Sequence, residues 1–120
     1  MDNQIIVKAA EPVAIVAPAA VKLHFDMVKI NQPANSITTL APIVEWLKAN
    51  PSAKPVISDF YDPRGSVVRN EQLAKARAES TSEKLVAAGI HASRIEMRKP
   101  ADVNDDAELD EARRVEVSVK

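Results

Sequence analysis

Cysteine is absent from this 120-residue chain, which excludes disulfides, thiolate metal sites and thiol chemistry together. Glycine is almost absent as well. Gly65 and Gly89 are the only two, so there is no glycine-rich loop to cradle a phosphate. One Trp, one Tyr and two Phe are too few for a base-stacking platform, and the core must be built from Ala, Val, Ile and Leu. No basic run exceeds Arg113-Arg114, and 16 Lys and Arg against 17 Asp and Glu leave a net charge of −1. That balance argues against a polyanion binder, because neutralising phosphates takes clustered cations; no nucleic-acid partner is expected. The longest apolar run, Val13 to Val21, is too short to span a bilayer and is broken by Pro18. The opening Met-Asp-Asn-Gln carries an acid where a signal peptide needs basic residues. Any export signal or membrane anchor is therefore expected outside this stretch of chain.

What is present reads as one soluble domain. Apolar residues make up 46% and charged residues 28%, and the length matches the commonest domain size. Residues 1–20, rich in Ala, Pro and Val without a sustained period, read as a flexible leader or tether with a short strand at Gln4–Lys8. The ordered domain is expected over 21–120. "VKLHF" alternates apolar and polar residues and is closed by Asp26, as a strand would be. Ile37, Leu40, Val44 and Leu47, with Ile43 beside them, form a helical stripe. Pro42 is tolerated only in a first turn, so this helix is expected to begin near Thr39 or to have an irregular start; Ser36, Thr38 and Thr39 are its candidate caps, and Asn50-Pro51 ends it.

"KPVISDFY" is a second strand and "DPRGS" the turn after it. Ala74, Ala78, Thr81, Leu85 and Ala88 make a small-residue stripe on a second helix, with Gly89 placed for a left-handed cap. "SRIEMRK" is a short third strand, "PADVNDDAELDEA" an acidic connection, and "RRVEVSV" a closing strand. The order β-α-β-α-β-loop-β predicts a mixed sheet with helices packed on one face.

One constellation has chemical potential. Asp62 ends the second strand and Arg77 lies on the following helix, so the two can converge on one cleft, although spacing alone favours a surface ion pair of about 0–1 kcal/mol. Asn70 is either a polar neighbour of that cleft or the helix N-cap. Asp102, Asn104 and Asp106 begin like a calcium loop, but Ala107 stands where the loop needs Gly and Arg113 where it needs a bidentate Glu. His24 and His91 are isolated, and no hydroxyl has a His–acid partner that spacing supports. No cofactor, metal or enzymatic activity is expected.

In order and spacing, "VKLHFD", "LAPIVEWLKANPSAKPVIS", "YDPRGSVVRNEQLAKARAEST", "LVAAGIHASRIE" and "ARRVEVSV" resemble the OmpA-like domain, the peptidoglycan-binding module at the C-terminus of outer membrane protein A, which also occurs in the peptidoglycan-associated lipoprotein and the flagellar stator protein. The resemblance covers roughly Val21 to Val119. It implies an α+β fold in which two helices pack on a mixed four-stranded sheet (a β-α-β-α-β-β sandwich), and a non-catalytic periplasmic module anchoring an envelope protein to the wall. It further implies a ligand, the diaminopimelate of the peptide stem. By position, Asp62 matches the family's acid, Arg77 its carboxylate-binding arginine, Asn70 the neighbouring asparagine, and Arg113 and Arg114 the arginine pair before the last strand, one of them at the rim of the site. The free end of diaminopimelate carries both signs, so it needs an acid for its ammonium and a planar guanidinium fork for its carboxylate. The sequence departs from the family where Asp59, Phe60 and Tyr61 replace the usual Gly-His-Thr or Gly-Tyr-Thr before the acid, and where Ala112 replaces an asparagine. Those changes motivate an alternative expectation: a diverged domain that has lost wall binding and serves as a protein-interaction scaffold.

Overall fold

A computed structural model describes residues 17–25, 30–62, 64–99, 101–102 and 113–120. The elements run β1 (Val21–His24), α1 (Ser36–Ala49), β2 (Pro55–Tyr61), α2 (Val67–Ala87), a 3₁₀ turn (Ala92–Arg94), β3 (Glu96–Met97), β4 (Ala101–Asp102) and β5 (Arg114–Val119). Residues 1–16 of the expected leader and most of the calcium-like stretch lie outside the described residues.

The sheet order is β1-β5-β2-β3, with β4 adding a parallel bridge to the Phe60–Tyr61 end of β2. β5 is antiparallel to both of its neighbours, pairing Leu23 with Val115 on one side and Ile57 with Val117 on the other. β1 and β2 therefore run the same way, and β3 lies parallel to β2 through Val56 and Ile57. The chain leaves the end of β2 to enter α2 through a tight turn, and Gln32, just before α1, donates to Ser80 and Thr81 in the middle of α2. The mixed sheet with two helices is thus the architecture expected from the sequence.

Side chains alternate along a strand, so Leu23, Ile57, Val115 and Val117 fall on one face. Together with Leu40, Ile43 and Leu47 of α1 and Ala78 and Leu85 of α2 they form the core, which contains a single aromatic, Phe25. Small Ala74 and Ala78, both fully buried, let α2 lie close on the sheet.

Two details of the helices differ from expectation. α1 begins at Ser36, three residues before Thr39, and keeps Pro42 in its interior. Its start is held by backbone bonds, Ser36 N–H to the Pro33 carbonyl and Thr39 N–H to the Asn35 carbonyl, not by a hydroxyl cap. The apolar stripe is also rotated: Leu40, Ile43 and Leu47 are buried, whereas Ile37 is 70% exposed. At the end of α2, Gly89 has φ +104°; its N–H donates to the Val86 carbonyl while that of Ile90 donates to Leu85. That pair of bonds is the Schellman arrangement, and the buried Ile90 and Leu85 supply its apolar contact. Gly89→Ala is expected to destabilise the domain by about 1–2 kcal/mol, the strain of an L-residue in a left-handed conformation. Thermal unfolding checks this, and an unchanged Tm would contradict it.

Candidate functional site

The end of the sheet where β2 runs into α2 gathers the charged residues singled out in the sequence. Asp62 follows the last residue of β2. Its Oδ1 accepts the backbone N–H of Arg64 at 2.9 Å and the Arg64 Nε at 2.8 Å. An aspartate that takes the N–H two residues ahead forms an Asx turn, so the acid is fixed by its own turn. Gly65, φ +80°, completes the reversal. The Arg64 guanidinium holds the Asp62 carboxyl below the usual carboxylate range, with a smaller contribution from Arg113.

Asn70 stabilises the same turn from the first turns of α2. Its Nδ2 donates to the carbonyls of Asp62 at 2.7 Å and Arg64 at 2.8 Å. It is not the helix cap: that place belongs to Ser66, whose Oγ accepts the Arg69 N–H.

Arg77 is 3% exposed. Long helical side chains lean toward the helix N-terminus, which for α2 is the site edge, and the guanidinium lies 5.6 Å from the Phe25 ring centroid at the end of β1. Burial, and then the like charge of Arg113, lower its pKa. Arg77 and Asp62 are not ion-paired with each other; the acid's partner is Arg64. The surface salt bridge that spacing allowed is therefore not what the fold builds.

The arginine pair splits. Arg113 bonds the Phe25 carbonyl through Nε at 3.0 Å and acts electrostatically on both Asp62 and Arg77. Arg114 begins β5, stacks on the Phe60 ring at 3.9 Å and pairs with Glu116 at 2.7 Å. Of the two, Arg113 is the one tied electrostatically to the Asp62–Arg77 edge.

Two further residues take roles in this region that the sequence does not predict. Arg64 is legible in retrospect from "DPRG", where an Asx turn returns the arginine to its acid. Asp59 is the other. Its ladder partner is Val115, so it lies on the helix-facing side of the sheet, 2% exposed, with Oδ1 lacking a hydrogen-bond partner. Burial pushes its carboxyl up to about 6. Among the described residues, no group of three or more His, Asp or Glu could hold a metal, and no helix is long and apolar enough to cross a membrane.

A mixed sheet covered by two helices in this order is the fold of an OmpA-like domain. The chain belongs to the OmpA family, whose model matches residues 24–115. Among solved structures it is similar to the peptidoglycan-associated lipoprotein of Burkholderia pseudomallei, with 22% identity, a TM-score of 0.70, and coverage of 83% of this chain and 90% of that one. It is similar also to the OmpA-like domain of FopA1 from Francisella tularensis, at 17% identity and TM-score 0.69, covering 84% and 73% of the two chains. The cell wall anchor of the T6SS from Pseudomonas aeruginosa matches at 22% identity and TM-score 0.60, over 83% and 79%. At these identities the likeness concerns the fold. No curated protein matches the chain.

Proposed function

We propose that this domain is a non-catalytic peptidoglycan-binding module of the periplasm that anchors an envelope protein to the wall. In this reading it grips the zwitterionic end of diaminopimelate in the peptide stem. Asp62 receives the ammonium and Arg77 the carboxylate, while Arg113 adds positive charge beside them. Asn70 holds the Asp62 turn in place, and Arg114 braces the start of β5 against Phe60. The observation that carries the reading is that Arg77 and Arg113 both meet Phe25, at the end of β1, on the end of the sheet where Asp62 follows β2. Charge-assisted bonds of this kind contribute about 1.5–3 kcal/mol each. The names of two similar structures, a peptidoglycan-associated lipoprotein and a cell wall anchor, support the ligand class.

The test is co-sedimentation with purified diaminopimelate-type peptidoglycan. Wild type is expected in the pellet. Asp62→Ala and Arg77→Lys, the second keeping charge but losing the planar fork, are expected to bind at least about tenfold more weakly, with folding verified by circular dichroism. Wild-type protein remaining in the supernatant would refute the proposal.

The Arg64–Asp62 pair favours a second reading, since a ligand ammonium must share or displace that guanidinium. In this reading the domain has lost wall binding and its surface serves a protein partner. Free diaminopimelate separates the two in an NMR titration: shifts centred on Asp62 and Arg77 support wall binding, and their absence supports the scaffold.

A further inference from the structure

The Asp62 carboxylate is already occupied, and the two donors that occupy it differ in kind. Both reach the same oxygen, Oδ1: the backbone N–H of Arg64 at 2.9 Å and the Nε of the same residue at 2.8 Å. The backbone bond belongs to a turn that is held a second time, because Asn70 Nδ2 donates to the Asp62 and Arg64 carbonyls. The side-chain bond belongs to a guanidinium on a long stem, with the Arg64 side chain 41% exposed. An exposed ion pair of this type favours contact by no more than about fivefold. Another cation can therefore exchange for the guanidinium while the turn, and with it the place of the carboxyl group, stays as it is.

We infer that Arg64 is a specificity-determining residue of this site: its guanidinium stands where a ligand ammonium must bind, and it transfers to the ligand's carboxylate when the ammonium takes the acid. This role rests on the wall-binding reading and adds the chemical class that the site selects, an ammonium and a carboxylate on one carbon. Because an α-amino acid carries both groups on that carbon, an ammonium arriving at Oδ1 brings its own anion within reach of the guanidinium it displaces. Charges stay paired throughout, the Arg64–Asp62 pair being exchanged for Asp62–ammonium and Arg64–carboxylate. A carboxylate has two oxygens and about four lone-pair sites, so it accepts Arg64 and Arg77 together, and the planar fork of Arg64 suits it. A plain amine displaces the guanidinium and gives it no anion in return. Arg64 thus acts against amines and for amino acids, two classes that an acid by itself would not tell apart.

The test compares free diaminopimelate with pentane-1,5-diamine, the same carbon chain without its carboxylates, each titrated by NMR into the whole chain and into Arg64→Met. Methionine leaves the backbone N–H on Oδ1, so the turn is kept. Removing the guanidinium is expected to strengthen binding of the diamine by up to about fivefold. It is also expected to lower the preference for diaminopimelate over the diamine at least about tenfold, the effect of one charge-assisted bond. Loss of the Arg64–Asp62 pair affects both probes equally and cancels from that preference. A turn that merely loosened would weaken both probes alike and leave the preference unchanged, and that result overturns the inference. So does a diamine bound more weakly by Arg64→Met than by wild type. Should diaminopimelate leave the Asp62 and Arg77 resonances of wild type unmoved, the wall-binding reading fails and the role of Arg64 falls with it, an outcome distinct from the other two.

Discussion

Asp59→Asn is expected to stabilise the domain by about 2–3 kcal/mol at pH 7.5 and to leave it nearly unchanged at pH 3.5. The reasoning is linkage. An aspartate in the unfolded chain titrates at its ordinary 3.8, whereas burial in the folded domain raises it to about 6. Below 3.8 the group is protonated in both states and exerts no pH effect. As pH rises from 3.8 through about 6, the unfolded state releases its proton more readily, and folding loses stability. At 1.36 kcal/mol per pH unit the full loss is about 3 kcal/mol, complete above pH 6.5. Asparagine fills the same volume without ionising. Denaturant midpoints at the two pH values measure the difference, and an offset equal at both would show that Asp59 does not titrate in this way. The difference between the two pH values, unlike either value alone, is unaffected if the amide packs less well than the acid.

Arg94→Ala is expected to cost about 2–4 kcal/mol, the range for removing a charged donor from a part-buried network. One guanidinium reaches three carbonyls. Its Nη2 donates to Leu47 at 3.0 Å, Asn50 at 2.9 Å and Ala53 at 2.6 Å, and its Nε to Ala53 at 3.2 Å. Those carbonyls belong to the last turn of α1 and the loop entering β2, where helix geometry leaves acceptors without intrahelical partners. Arg94 thus joins α1, β2 and the turn before β3. Lysine, a point donor, cannot span all three, so Arg94→Lys is expected to recover less than half of the loss. A denaturant midpoint that moves with constant m reports it. An alanine variant as stable as wild type would mean that water replaces the guanidinium at those carbonyls.

Arg94 has no signal in the sequence, and Asp59 shows there only as a departure from the family pattern; the reason is physical. Arg94 acts on atoms more than 40 positions earlier in the chain, beyond the reach of periodicity or capping rules. Asp59 sits within a strand pattern that shows alternation but not which face the helices will cover. The elements with strong local signals were legible: β1 and β5 from clean alternation, β2 from its β-branched run and turn, α2 from its alanine stripe and Gly89. The short third strand expected over "SRIEMRK" forms at Glu96–Met97 alone, while β4, two residues long, has no period to read and exists through the parallel partner that β2 offers. The stripe on α1 was visible as a stripe, but Ile37 and Leu40 are neighbours on one helix surface, and only packing decides which of them meets the sheet. For the site, the resemblance supplied the residues and the fold supplied their relation. The acid is held by its own turn, Arg77 is buried, and Arg113 rather than Arg114 bonds the Phe25 carbonyl beside it.

The parallel course of β1 and β2 has a mechanical consequence. Val21 lies at the opposite end of the sheet from Asp62, and each strand is joined to β5 by a ladder along its length. A pull entering at Val21 and resisted at Asp62 would act along the strand axes, loading the β1–β5 bonds together in shear instead of opening them one at a time. A fold strung this way is suited to bear tension between the two ends it presents.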